Sequence, residues 1–266
     1  MATFRPYTPA DADRLAACAV ACGQMGPTSA HDRRYQEFVA QHGSLVVADD
    51  GMNLVGFAGV IERSGASYLT DLFVRPENQN KGLGRRLLAQ VWVNSGPRMT
   101  SASQDPRALA LYAQAGLTPR WANLYLELPG ISSSSISDTS WDAVEFRAAK
   151  PGDCGWWLGT DATSVATLRG PDGTVRACAV LLDNGESTLQ LLRAVTPDPD
   201  SLAELVVALQ TRAGAGRRLS LNIPDRHPVA KVLGAAHVVD QDIWCTTDDA
   251  AWVVDPEHVL PSPALG

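Results

Sequence analysis

Leu69-Thr70-Asp71-Leu72-Phe73-Val74-Arg75-Pro76-Glu77-Asn78-Gln79-Asn80-Lys81-Gly82-Leu83-Gly84-Arg85-Arg86-Leu87-Leu88 reads as a strand, a loop and the start of a helix. Gly82 and Gly84 remove side chains where the helix begins. The free N–H groups of a first turn point outward, and the helix dipole adds partial positive charge there. Lys81, Arg85 and Arg86 bring further positive charge to the same end. Such a helix start suits a pyrophosphate, although two glycines and three cations also suit an ordinary basic helix start. The NTPase phosphate loop is excluded, because GxxxxGK[ST] is missing. The dinucleotide fingerprint GxGxxG is excluded too, because its third glycine position is Leu87.

Outward from this segment the pattern alternates. Toward the N-terminus lie a first strand, then helical segments at 11–25 and 29–42. Apolar runs at 44–49 and 53–62 follow, separated by Asp50-Gly51, a hairpin signal. The helix from Gly82 to Asn94 carries Leu83, Leu87, Leu88 and Val91 on one face. A strand at 98–103 leads to a helix at 106–114, with Asp105 as its cap, Pro106 at its first position and Gly116 just past its end. A last strand spans 122–128. This order predicts an α/β (α+β) fold with a mixed, mostly antiparallel sheet flanked by helices.

Gln79-Asn80-Lys81-Gly82-Leu83-Gly84 follows a strand ending Val74-Arg75-Pro76. Farther on stand Asp105-Pro106-Arg107-Ala108-Leu109-Ala110-Leu111-Tyr112 and then Gly116-Leu117. Two motifs in this order and spacing resemble the GNAT family of acyl-CoA-dependent N-acetyltransferases over most of residues 1–128. The resemblance implies that acetyl-CoA is the cosubstrate, with no metal. It implies that Leu72, Phe73 and Val74 pair with the pantetheine arm like an added strand, and that Gln79, Asn80, Lys81, Gly82, Leu83, Gly84 and Arg85 hold the pyrophosphate. It further implies that Tyr112 protonates the departing thiolate, a task suited to a phenol of pKa about 10.

Two positions depart from the family pattern. Members acting on polyamines tend to read Leu-Glu-Asp in the strand, with the Glu as base, whereas this chain reads Leu69-Thr70-Asp71. Asp71 is therefore the catalytic proton-acceptor candidate, with Tyr68 and Glu62 weaker ones. Strand alternation sets Asp71 on the face opposite Thr70. Asp105 replaces an Asn at the cofactor-side helix cap and offers only acceptors when ionised. The implied reaction is direct transfer of an acetyl group to a primary amine of a small molecule. The alternatives are acetylation of a protein amine and a non-catalytic acyl-CoA-binding or sensing protein.

The chain has 266 residues and a net charge of −7. That acidity argues against a dedicated nucleic-acid partner. No apolar run approaches the ~18–20 residues of a membrane span, and the first residues lack a secretory pattern. A cytoplasmic monomer or homodimer is the expectation. The cysteines are Cys18, Cys22, Cys154, Cys178 and Cys245, an odd number without CxxC spacing, and read as small core residues.

Gly130 to Ser140 contains four consecutive serines and no apolar period, which marks a linker. The domains expected are 1–130, catalytic; 131–140, linker; 141–252, a degenerate second GNAT-like domain; and 253–266, a Pro-containing tail. A faint repeat supports two copies. Phe4-Arg5 resembles Phe146-Arg147; Leu72-Phe73-Val74-Arg75-Pro76 resembles Arg193-Ala194-Val195-Thr196-Pro197, an offset of 121; and Asp105-Pro106 resembles His227-Pro228, an offset of 122. The second copy has no glycine in its loop, places Asp198, Asp200 and Glu204 at the helix start, and has no tyrosine. Like charge there opposes a pyrophosphate. His227 and His237 lack a third ligand at metal spacing, and Trp156-Trp157 read as core or as a substrate wall.

Overall fold

A computed structural model describes residues 2–23, 30–63, 66–93, 96–132, 144–148, 163–185, 187–196, 199–231, 233, 236–247 and 258–259. Most of the linker, Cys154, Trp156-Trp157, Asp198 and most of the tail lie outside these. The chain divides into two compact units: 1–119 with 245–251, and 120–244 with 252–266.

The first unit contains β1 (Thr3–Pro6), α1 (Ala12–Ala21), α2 (Ala30–His42), β2 (Gly43–Asp49), β3 (Leu54–Arg63), β4 (Ala66–Val74), α3 (Leu83–Val91), β5 (Arg98–Ala102) and α4 (Pro106–Gln114). This reproduces the element order read from the sequence. Strands β1 to β4 are successive antiparallel neighbours, and β5 joins β4 in parallel. Helix α3 buries Leu83, Leu87, Leu88 and Val91, the face its 3.6-residue period foretells. Leu15 and Cys18 of α1 and Val39 of α2 are buried in the same unit. Each fully buried aliphatic side chain contributes about 1.5–3 kcal/mol. At the far side of β5, Thr247 N donates to Arg98 O at 2.9 Å, and Arg98 N donates to Thr247 Oγ1 at 2.8 Å.

Arg5 joins β1 to the start of α1 and the end of β2. It donates to Asp11 through two 2.7 Å bonds and to Asp49 at 2.7 Å, and Arg14 holds the other Asp49 oxygen at 2.8 Å. Both carboxyls are held well below the usual range, Asp11 chiefly by Arg5 and Asp49 chiefly by Arg14.

The second unit contains most of β6 (Thr118–Pro129), then β7 (Val144–Ala148), β8 (Thr163–Arg169), β9 (Val175–Asp183), β10 (Thr188–Val195), α5 (Pro199–Ala213), β11 (Arg218–Pro224), most of β12 (His237–Thr246) and β13 (His258–Val259). Strand β6 pairs antiparallel with β11 from Arg218↔Pro129 to Pro224↔Asn123. Strands β7 to β10 are successive antiparallel neighbours, and β11 joins β10 in parallel. Leu202, Leu205, Val206 and Leu209 of α5 are fully buried against Leu126, Leu181, Leu191 and Leu221.

Of the described cysteines, Cys18 and Cys245 are buried as expected, whereas Cys22 and Cys178 are partly exposed. Cys22 N donates to Cys18 O at 3.1 Å at the end of α1. Among the described residues, no helix is long and apolar enough to cross a membrane, and no group of three or more His, Cys, Asp or Glu could hold a metal ion.

Candidate active site

Strand β4 is buried from Ala66 to Leu69 and partly exposed from Thr70 to Val74. The change coincides with the end of its parallel ladder. Pairing with β5 covers only Ser67↔Arg98, Tyr68↔Met99 and Leu69↔Thr100, and Thr100 Oγ1 closes it by donating to Leu69 O at 3.1 Å. Beyond that point β4 keeps β3 on one side, through Asp71↔Gly59 to Val74↔Gly56. No described strand pairs with its other edge. Leu72, Phe73 and Val74 thus present main-chain groups along an open margin.

The margin runs directly into the glycine loop. Pro76–Asn78 forms a single 3-10 turn, and Asn80 adopts a left-handed φ of 60°, which asparagine tolerates better than most residues. Gly82 caps α3 at φ 75°, with no side chain to bond the first-turn amides. No acidic residue stands in that turn. The N–H groups of Leu83, Gly84 and Arg85 are therefore left for an external acceptor. The next helix is different: Asp105 accepts from Arg107 N at 2.8 Å and closes the start of α4 itself. That carboxyl is also gripped by the Arg107 guanidinium, which lowers its pKa. Of these two helix starts, that of α3 is the one without a side-chain cap. A Cβ on Gly84 would come within 3.2 Å of Leu111 Cδ2, so this glycine lets α3 and α4 approach.

The loop's polar side chains brace it. Gln79 donates to Val74 O at 3.0 Å and accepts from Arg107 Nη1 at 3.1 Å, tying the end of β4 to α4. Lys81 Nζ donates to Glu77 O at 2.7 Å. Arg85 donates to Gln114 Oε1. Arg86, expected at the cradle, lies over the Phe4 ring at 4.4 Å. Tyr112 is buried on α4.

Thr70 is the extra residue of a β-bulge: Leu69 pairs with Val60 and Asp71 with Gly59, leaving Thr70 without a register partner in β3. This corrects the alternation argument. The bulge brings neighbouring side chains together, and Thr70 Oγ1 donates to Asp71 Oδ2 at 2.8 Å. Tyr35, from α2, donates to the same oxygen at 2.6 Å. Gly59 makes room for the group, because a Cβ there would lie 2.7 Å from Thr70 Oγ1 and 3.1 Å from Asp71 Oδ2. Burial pushes the Asp71 pKa up, against the pull of the two hydroxyl donors. Burial, then the Asp71 charge, pushes the Tyr35 phenol well up. Tyr35 was not singled out in the sequence. Its only sequence signal is its place four residues before the buried Val39 on α2.

The second unit lacks this equipment. At the offset of 121, Thr70 and Asp71 correspond to Leu191 and Leu192, both buried and apolar. Glu204 is neutralised by Arg176 at 2.6 Å, so of the acidic residues expected at that helix start only Asp200 stands in the described first turn without such a partner in view. His227 is buried and caps a short 3-10 turn by accepting from Val229 N at 3.2 Å, at the position where Asp105 caps α4 in the first unit.

Residues 19–120 match the sequence model of the acetyltransferase (GNAT) domain. A search of curated protein sequences finds no match. Among solved structures, a candidate acetyltransferase from Pyrococcus horikoshii superposes with a TM-score of 0.76 at 14% identity, covering 100% of this chain and 96% of that one. A tandem GNAT protein from the clavulanic acid biosynthesis pathway gives 0.66 at 14% identity, over 96% and 100%. A GCN5-related N-acetyltransferase from Anabaena variabilis gives 0.63 at 11% identity, over 92% and 72%. Residues 19–120 therefore match a GNAT acetyltransferase domain, and the chain shares along its length the fold of these solved structures, one of them a tandem GNAT protein.

Proposed function

We propose that this chain transfers an acetyl group from acetyl-CoA to the primary amine of a small molecule, in a ternary complex formed by the first unit. The observation that carries the reading is the open margin of β4 running into the uncapped start of α3. Acetyl-CoA, when bound, supplies an acetyl thioester. Leu72, Phe73 and Val74 hold the pantetheine arm by main-chain pairing. The loop from Gln79 to Arg85 receives the pyrophosphate on the first-turn amides of α3. Asp105 fixes the start of α4, which carries Tyr112.

An amide of Phe73 or Val74 donates to the thioester oxygen as negative charge develops. Asp71 takes the proton released by the attacking amine, and its elevated pKa brings it nearer the working pH of a general base. Tyr112 gives its proton to the departing thiolate. The second unit takes no part in this chemistry, since its counterpart loop has no glycine and the sequence around the counterpart of Tyr112 reads Val232-Leu233-Gly234, with no tyrosine.

Thiol release from acetyl-CoA, measured across a panel of small primary amines, tests the reading. Amine-dependent release is expected, and Tyr112→Phe should cut kcat about 10²-fold with the Kd for acetyl-CoA unchanged. Bound acetyl-CoA with no release on any amine would make the protein a binder rather than an enzyme.

A further inference from the structure

The two parallel ladders stop at the same place. In the first unit, β4 pairs with β5 over Ser67–Leu69. In the second, β10 pairs with β11 over Thr188↔Arg218, Leu189↔Leu219 and Gln190↔Ser220. Ser67 and Thr188 are 121 residues apart, the offset already visible between Val74-Arg75-Pro76 and Val195-Thr196-Pro197. Each long strand then bulges, at Thr70 in β4 and at Leu192 in β10, and continues with an antiparallel neighbour on its other side. Both units thus open a wedge between two parallel strands.

The wedges differ in content. In the second unit β13 lies along β10 antiparallel, with Ala194↔Val259 and Val195↔His258. Ala194 and Val195 are the counterparts of Phe73 and Val74, two of the residues to which the pantetheine arm is assigned above. Main-chain groups recognise an extended peptide and a pantetheine amide in the same way, so one wedge geometry accepts either.

We propose that the second unit's wedge has become a strand-binding slot for an extended peptide, filled here by the chain's own His258-Val259. The comparison of slots rests on the acetyl-CoA reading of the first unit; the occupancy of the second does not. The occupant's backbone supplies the pairing, and the surroundings hold neither the carboxylate of the first unit nor its glycine loop. Leu191 and Leu192 stand where Thr70 and Asp71 do, and Asp200 sits in the first turn of α5.

Hydrogen–deuterium exchange on the full chain tests this. In an antiparallel ladder only one of two adjacent residues bonds a given neighbour. Either His258→Pro or Val259→Pro should therefore speed exchange across residues 191–196 about tenfold or more, leaving residues 70–75 unchanged. Unchanged exchange at 191–196 in both variants would overturn the proposal. A chain ending at Asp255 should show the same loss, and an added peptide of residues 256–266 should restore protection. Failure of that peptide to protect 191–196 at saturating concentration would also overturn it. Acetyl-CoA should leave 191–196 of the shortened chain unprotected; protection there would mean that the slot is still a cofactor site. Protection of residues 70–75 by acetyl-CoA reports separately on the first unit.

Discussion

The Tyr35 hydroxyl donates to Asp71 Oδ2 at 2.6 Å, from a helix 36 residues earlier in the chain. A carboxylate pushed up by burial is thereby drawn back by a neutral donor. Removing the donor leaves burial less opposed, so the Asp71 pKa rises further. Tyr35→Phe should shift the acidic limb of the kcat/KM profile to higher pH, with little change at the alkaline side. Thr70→Val should shift it the same way. A profile measured from pH 5 to 9 with saturating acetyl-CoA checks the direction, and a shift to lower pH would remove Asp71 as the group responsible.

Asp71→Asn separates catalysis from stability. The folded pKa of Asp71 lies above its unfolded value. Its contribution to stability is fully present below the unfolded pKa of about 3.9 and is lost as pH rises through the folded pKa. At neutral pH the ionised carboxylate is therefore a liability to the fold. The amide keeps an oxygen acceptor for Tyr35 and Thr70 without the charge. The variant should melt at or above the wild-type temperature at pH 7, lose that advantage toward pH 4, and retain about 1% of kcat or less. Thermal scans at the two pH values, set beside initial rates, check all three expectations.

Much of the first unit was legible because its elements carry strong local signals. The α3 face, the Asp105 cap and the hairpin at Asp50-Gly51 each depend on residues a few positions apart. Sheet membership is not local: the alternation in Thr118–Pro129 announces a strand but does not say that its partner is β11. The site shows the same limit. Gly82 and Gly84 marked the uncapped start of α3 by their spacing. The approach of Thr70 to Asp71 was hidden, because a bulge breaks the two-residue period on which the face assignment depends. Tyr35 was hidden too, because only the tertiary packing of α2 on β2 and β3 brings its hydroxyl to Asp71 of β4.

Gly82 and Gly84 should respond differently to alanine. At Gly82 a Cβ meets no atom, but the φ of 75° is left-handed and costs an L-residue about 1–2 kcal/mol. At Gly84 the backbone is helical, and the obstacle is the movable end of Leu111 at 3.2 Å. Alanine also favours a helix over glycine by about 1 kcal/mol. Gly82→Ala should therefore lower stability and weaken acetyl-CoA binding several-fold. Gly84→Ala should leave stability within about 1 kcal/mol of wild type, and Gly84→Val should lower it more. Chemical denaturation with titration of acetyl-CoA distinguishes the three.

The Arg5 cluster should set the acid limit of the first unit. Asp11 and Asp49 both have folded pKa values below their unfolded ones. Their contribution is present above an unfolded pKa of about 3.9 and is lost as pH falls toward the depressed folded values. The Asp11 side chain is 5% exposed, so loss of Arg5 leaves a desolvated charge with Arg14 at 3.6 Å and the Thr8 N–H and hydroxyl as its remaining partners, whereas Arg5 at 35% exposure keeps part of its hydration. Arg5→Met should cost about 2 kcal/mol at pH 7, less than the roughly 3–5 of a fully buried pair. The deficit should shrink below about pH 4, because in the variant the carboxyls, no longer held down by Arg5, take up protons in the folded state and lose the uncompensated charge. Urea midpoints at pH 7 and pH 3 check this, and an equal deficit at both would mean that Arg5 acts through its packing against Asp11 rather than through its charge.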